Sequence, residues 1–365
     1  IMTFKYNVAG SKRKVFMSVG TKSIREIFEE EEIANLSEFA AKSRYSRGRK
    51  LSENPCPLRT AFQRDRDRIL YSSAFRRLKH KTQMFFSPDD DNYRTRMTHT
   101  LEVAQVARTI AKALKLNEEL TEAIALGHDI GHTPFGHSGE AVLNEIMDGG
   151  YRHNEQSVRV AEVIENMNLT EETLNGILCH SYALEPAFTL EGQIVQLADK
   201  IAYLNHDIED AIRARIIHAE DLPQDSIEYF TSDKNVRFTT MIYDIVQTSM
   251  WKNKIRMSEE CFSHMKILRT WMFDNVYLGS EAKKEEPKAK NIVKTLFEYY
   301  FDELKKRYPH STEEALKRTV CDYVSGMTDR YAMAKFKELF LVTPLEYVRN
   351  DNFLNRMVLV NGLAV

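Results

Sequence analysis

Cysteine is scarce in this chain: four residues in 365, at positions 56, 179, 261 and 321, with no CxxC spacing. That excludes a disulfide framework and reads as reduced, mostly buried thiols. Long apolar runs are missing too. None approaches the roughly 18 residues of a membrane span, so no membrane partner is expected. The N-terminus lacks the charged-then-apolar pattern of a signal peptide. Its opening IMTFKYNVAGSKRKVF reads as upstream sequence, with Met17 as a natural start and a cytoplasmic enzyme as the expected product. An excess of one charge is also absent. Fifty-one basic residues face 53 acidic ones, and a net charge of −2 gives no global attraction to nucleic acid or lipid. No internal repeat or low-complexity tract appears.

What is present is an ordinary globular composition, 43% hydrophobic and 28% charged, long enough for one large domain or two. The patterning is helical nearly throughout, and an all-α fold is expected. Apolar residues recur on one face from Thr98 to Leu114, at Leu101, Ala104, Ala107, Ile110 and Ala111. Asn117 caps a second helix that runs to Gly131. HTPFGH (132–137) reads as a loop before a helix starting near Ser138. Further helices are expected over 156–167, 170–179 and 191–217. Leu222-Pro223 then breaks the pattern, and a second helical segment fills 224–365 around a charged loop at 279–290. The best strand candidate is Lys81 to Phe86.

Seven of the eleven histidines fall between positions 99 and 206. His99, the adjacent pair His128-Asp129 and Asp199 form a mixed imidazole–carboxylate set suited to a divalent ion that keeps open positions for water and a phosphate oxygen. Along the 191–217 helix, Asp199, Tyr203, His206, Asp207 and Asp210 fall in one row at offsets 0, 4, 7, 8 and 11. That row is either a solvated face or a working one. Two basic stretches, Lys42–Lys50 and Arg59–Lys81, read as solvated surface or as sites for polyphosphate or single-stranded nucleic acid. In RDRDR (64–68), alternating signs favour ion pairing over a phosphate cradle.

The order His, His-Asp, Asp resembles the HD phosphohydrolase superfamily. Longer motifs narrow this: RTAFQRDRDRILYSSAFRRLKHKTQMF (59–85), RTRMTHTLEVAQVAR (94–108), HDIGHTPFGHSGE (128–140), YRHNEQS (151–157), ADKIAYLNHDIEDA (198–211) and YVSGMTDRYA (323–332) resemble the deoxyguanosine-triphosphate triphosphohydrolase family. The likeness runs from about residue 44 to 340. It implies hydrolysis of a deoxynucleoside triphosphate to deoxynucleoside and tripolyphosphate. It implies a metal held by His99, His128, Asp129 and Asp199. It implies a catalytic imidazole at His137 oriented by Glu140, a phosphate-contacting His132, and His153 in the same pocket. For substrate it implies Gln83 near the deoxyribose, Arg96 and Lys200 on the phosphates, Tyr203 excluding a 2′-hydroxyl and Asp207 on the 3′-hydroxyl. His180 and His206 stay unassigned.

The expected division is an N-terminal arm (1–58), an HD phosphohydrolase core (59–222) and a helical C-terminal segment (223–365) packed on it. The cofactor is a divalent metal, with Mn²⁺, Mg²⁺, Fe²⁺ and Ni²⁺ all compatible with the ligand types. Partners implied by the resemblance are the dNTP substrate, a dNTP activator and further copies in a hexamer or tetramer. Two rival readings stand beside this one: another HD phosphohydrolase (a nucleotide monophosphatase or a phosphodiesterase), and a nucleotide-regulated protein that binds single-stranded nucleic acid.

Overall fold

The computed structural model describes residues 22–83, 94–181, 185–277, 284–341 and 357–362, together with the backbone of 3–8 and 11–16. Its body is all-α. A hairpin of β1 (Thr3–Val8) and β2 (Ser11–Phe16) is its one sheet among the described residues, antiparallel with Thr3 opposite Phe16. The strands therefore lie in the opening stretch, ahead of Met17, which is itself outside the described residues. At the expected strand, Thr82 makes only an isolated bridge to Thr95, and residues 84–86 fall outside the description.

The helices that carry the expected ligands come in the first half of the chain, among the nine described there. The nine are α1 (Ile24–Asn35), α2 (Ala61–Leu70), α3 (Ser73–Arg77), α4 (Arg96–Ala113), α5 (Glu118–Gly127), α6 (His137–Ile146), α7 (His153–Arg159), α8 (Glu171–Cys179) and α9 (Leu190–Arg213). The second half holds α10 (Gln224–Phe230), α11 (Lys234–Ser249), α12 (Glu259–Met272), α13 (Glu286–Arg307), α14 (Glu313–Ser325) and α15 (Asp329–Phe340). Side-chain caps set many of the starts. Thr95, Asn117, Thr170 and Thr189 each accept a backbone N–H of their own first turn, satisfying donors that no helical carbonyl reaches.

Several boundaries differ from the sequence reading. Helix α5 stops at Gly127, not Gly131, because Gly131 is pressed against the backbone of α7: a Cβ there would sit 2.2 Å from the Ser157 nitrogen. The expected helix over 156–167 starts earlier, at His153, and passes into a π turn over Val160–Ile164. Within 279–290, residues from Glu286 onward are helical, Pro287 sitting in the first turn where its missing N–H costs nothing.

Helices α4, α5 and α9 pack together at the centre. Val103, Val106, Ala107 and Ile110 of α4, Leu120, Ala123 and Ile124 of α5, and Ile194, Ala198, Ile201 and Ala202 of α9 are all fully buried. Each Val, Leu or Ile so buried contributes about 1.5–3 kcal/mol. Small residues allow close approach: Gly176 of α8 leaves room for the Ile124 side chain, whose Cδ1 lies 2.4 Å from where a Cβ would stand.

The basic stretches find partners within the chain. Arg49 pairs with the buried Asp65, which also accepts the Thr170 N–H at 2.9 Å. Arg64 and Arg68 both reach Glu53, at 3.1 and 2.6 Å, Arg66 pairs with Glu119, and Arg47 lies 3.9 Å over the Phe188 ring. Ion pairing, the favoured reading of RDRDR, is what the structure shows. The four cysteines are free thiols, three of them buried. Among the described residues no helix is long and apolar enough to cross a membrane.

Candidate metal centre and surrounding pocket

The four expected ligands arrive from three elements. His99 sits in the first turn of α4, His128 and Asp129 just past the end of α5, and Asp199 midway along α9. His99, His128 and Asp129 each offer a donor atom within 4.8 Å of the others. Asp199 closes on two of them: its Oδ1 lies 3.0 Å from His99 Nε2 and 3.9 Å from His128 Nε2.

These residues fit a divalent cation. Ligand bonds of about 2.1 Å at right angles place neighbouring donor atoms about 3 Å apart, the His99–Asp199 spacing. His128 donates its Nδ1 proton to the Ala125 carbonyl at 2.7 Å, which turns the Nε2 lone pair inward. That Nε2 is buried with no hydrogen-bond partner, an unfavourable arrangement unless a cation takes the lone pair. Burial alone would raise the carboxyls of Asp129 and Asp199. For Asp129 the Arg96 guanidinium, and for Asp199 the His99 hydrogen bond, outweigh it and hold each below its usual range.

Next to this centre lies a second group built on Glu140. Its Oε2 meets His137 Nδ1 at 3.1 Å, and its Oε1 meets both the His153 backbone N–H (2.8 Å) and His153 Nδ1 (2.9 Å). Burial pushes Glu140 upward, but the two imidazole hydrogen bonds outweigh it and carry the carboxyl far down. His132 stacks on His153 with ring centroids 4.7 Å apart. It accepts the Thr133 N–H on Nδ1 at 3.0 Å and is held well below the usual imidazole range by burial and by Arg96. His137 differs from its neighbours: its side chain is 80% exposed, open to whatever enters the pocket.

The row on α9 is not a solvated face. His206, Asp207 and Asp210 are buried and Tyr203 is half-buried. Asp207 accepts a hydrogen bond from the Tyr277 hydroxyl, and burial still raises its carboxyl to about 6. Burial lowers Lys200 to about 7 and raises Tyr203 to about 12, with Arg269 of α12 beside both. Gln83 keeps Oε1 buried and without a hydrogen-bond partner.

One placement departs from the expected pattern. Arg96 is not open to the pocket but forms a buried ion pair with Asp129, Nη1 to Oδ2 at 2.6 Å. Four residues of the site escaped the sequence reading. Arg269 and Tyr277 lie 56 and 64 residues beyond the end of α9, in segments whose only sequence signal is an apolar stripe. His180 and His206 were visible but unplaced. His180 Nε2 faces His153 Nε2 at 3.1 Å, and His206 packs edge-on to His99 with centroids 6.0 Å apart.

Comparison with known proteins agrees with this geometry. The HD domain pattern matches residues 96–204, the stretch that holds all four expected ligands, and the pattern of the phosphohydrolase-associated domain matches 255–338. A deoxyguanosinetriphosphate triphosphohydrolase-like protein of Caldanaerobacter subterraneus is 56% identical over 329 residues, covering 88% of this chain and 97% of that one. Proteins of the same description from Desulfatibacillum aliphaticivorans (46% identical, 88% and 99% covered) and Clostridium tetani (45%, 89% and 98%) extend the likeness. With its His-Asp cluster set among buried carboxylates and matched to relatives over nearly their full length, the chain belongs to the deoxyguanosinetriphosphate triphosphohydrolase-like family of HD-domain phosphohydrolases.

Proposed function

We propose that the protein hydrolyses deoxynucleoside triphosphates, releasing deoxynucleoside and tripolyphosphate, with a divalent cation held by His99, His128, Asp129 and Asp199. The observation that carries this reading is the layout of α9. Asp199 stands at the metal centre, Tyr203 one turn on, and Asp207 two turns on, an axial span of about 12 Å at 1.5 Å per residue. That matches a nucleotide whose α-phosphate lies at the cation and whose sugar lies along the helix.

In this reading the bound cation supplies polarisation of the phosphate and a more acidic water. The residues do the rest. Asp207, anchored by the Tyr277 hydroxyl, presents its carboxylate to the 3′-hydroxyl, and the Tyr203 ring fills the space that a 2′-hydroxyl would need. Lys200 and Arg269 lend positive charge to the phosphates. His137, exposed and oriented through Nδ1 by Glu140, presents Nε2 to the departing 5′ oxygen, where it delivers a proton. Family likeness supports the same reading, since several relatives carry the dGTP triphosphohydrolase-like description. The assembly is proposed to be a homo-oligomer.

The test is product analysis. Metal-loaded protein is incubated with each dNTP singly and in pairs, and products are separated by ion exchange. Tripolyphosphate is expected; orthophosphate or pyrophosphate released in its place would overturn the reading. Turnover seen only with paired nucleotides would identify an activating dNTP.

A further inference from the structure

The loop that leads from Asp129 to His137 is held by an acid from far along the chain. Asp329, the first residue of α15, is buried, at 6% exposure, and divides its two oxygens. Oδ1 accepts the Phe135 N–H at 2.9 Å. Oδ2 accepts the Thr82 N–H at 3.0 Å and also the Thr82 hydroxyl. One carboxylate thus joins the residue before Gln83 to the second residue before His137.

The loop needs such a hold. Phe135 (φ +60°) and Gly136 (φ +57°) both lie in the left-handed region. For a bulky residue this costs about 1–2 kcal/mol and persists only where surrounding contacts enforce it. Gly136 also packs close to the other segment: the Thr82 and Gln83 carbonyl oxygens lie 3.7 Å from where its Cβ would stand. Lys81 supplies a second tie. It is 2% exposed, and its Nζ donates to the His132 carbonyl and, at 2.8 Å, to the Ser325 carbonyl at the end of α14. Both ties run from the α14–α15 junction into the same loop.

We propose that Asp329 is a positioning residue, which fixes the segment carrying Gln83 and the segment carrying His137 in one mutual register. The inference rests on the roles given above to those two side chains, and it makes the catalytic loop dependent on the phosphohydrolase-associated segment. A carboxylate is required because three donors converge on it. An amide in its place turns its NH₂ against at least one N–H.

The test compares wild type with Asp329→Asn and Asp329→Glu. Amide hydrogen exchange at 82–83 and 132–137, metal per chain, and kcat and KM for dGTP with Mn²⁺ are measured. Asp329→Asn is expected to speed exchange tenfold or more in both segments together, with exchange in α4 and α9 unchanged and metal per chain preserved. It should lower kcat at least tenfold with KM moving less than threefold, and Asp329→Glu should recover part of kcat. Unchanged exchange in the two segments, or a rise spread evenly over α4 and α9, overturns the proposal. If Asp329→Asn does not fold, Thr82→Val removes only the hydroxyl's bond. It should still speed exchange at 135, to which Thr82 makes no hydrogen bond, and no change there overturns the proposal. Exchange is read without substrate, so a wild type inactive on every dNTP, singly and in pairs, would sink the proposed function while leaving this inference to stand or fall on its own.

Discussion

His99 and Asp199, a hundred residues apart in sequence, meet with Nε2 and Oδ1 3.0 Å apart between α4 and α9. The two helices pack through small and branched side chains, so their backbones run close and their polar first-turn and mid-helix residues face one another. Where α4 meets the turn after α5, Asp129 is buried against Arg96, and that pair decides how the centre responds to substitution.

Asp129→Ala is expected to do two things. It removes a ligand, and it leaves the Arg96 guanidinium buried without its carboxylate, costing about 3–5 kcal/mol. Asp129→Asn keeps an acceptor for Arg96 while weakening the metal site. Metal content by elemental analysis should fall in both variants. Urea midpoints should fall sharply only in the alanine variant; equal midpoints would contradict the ion pair's weight.

His137→Ala should bind metal normally, because its side chain is largely exposed and is not one of the four expected ligands. Loss of a proton donor lowers kcat about 10²–10⁴-fold. A rate within threefold of wild type would make His137 a bystander. Glu140→Gln should fall between the two and also disturb His153, since both imidazoles share that carboxylate.

Tyr203→Ala is expected to admit ribonucleotides. The ratio of kcat/KM for dGTP over GTP should drop by about tenfold or more, a change of about 1.4 kcal/mol. An unchanged ratio counts against the sugar-gate role.

Glu191 gives a pH signature away from the metal. Burial raises its carboxyl to about 7 even though Oε1 accepts N–H groups of Ala41 and Asn117 at 3.0 and 2.9 Å. A folded value above the unfolded one means that the native state holds the proton more tightly. Its contribution is therefore complete below about pH 4.5 and is lost as pH rises through about 7. Melting temperature against pH should show a steeper decline between those limits for wild type than for Glu191→Gln. Parallel curves would refute the shift.

Gly131→Ala tests the close approach of the loop to α7. The added Cβ would meet Ser157 N at 2.2 Å and Gln156 C at 2.5 Å, both backbone atoms that cannot swing aside. A loss of about 1–3 kcal/mol is expected in denaturant titration, with His128 and Asp129 displaced and metal affinity reduced. A neutral substitution would mean that the loop and α7 separate readily.

Much of this was legible from the chain. Period-3.6 patterning placed α4, α8 and α9 within a few residues, because each carries an uninterrupted apolar stripe and a capping side chain at its start. The end of α5 was not legible, since what stops it is the backbone of α7 pressing on Gly131, a contact no local pattern encodes. Nor was the partner of Arg96: a spacing of 33 residues says nothing of whether a guanidinium faces a phosphate or a neighbouring carboxylate.

By itself, the order of residues determined that the chain is helical, that its histidines and aspartates come in ligand-forming types, and that Asp199, Tyr203 and Asp207 share one helix face, because helical periodicity is a local property of the backbone. Tertiary structure alone decided which charges are buried together, which imidazole stays exposed, and that Arg269, Tyr277 and Asp329 reach the centre from the far half of the chain. Those outcomes depend on how helices stack, and stacking follows from shape complementarity over the whole core rather than from any short stretch of sequence.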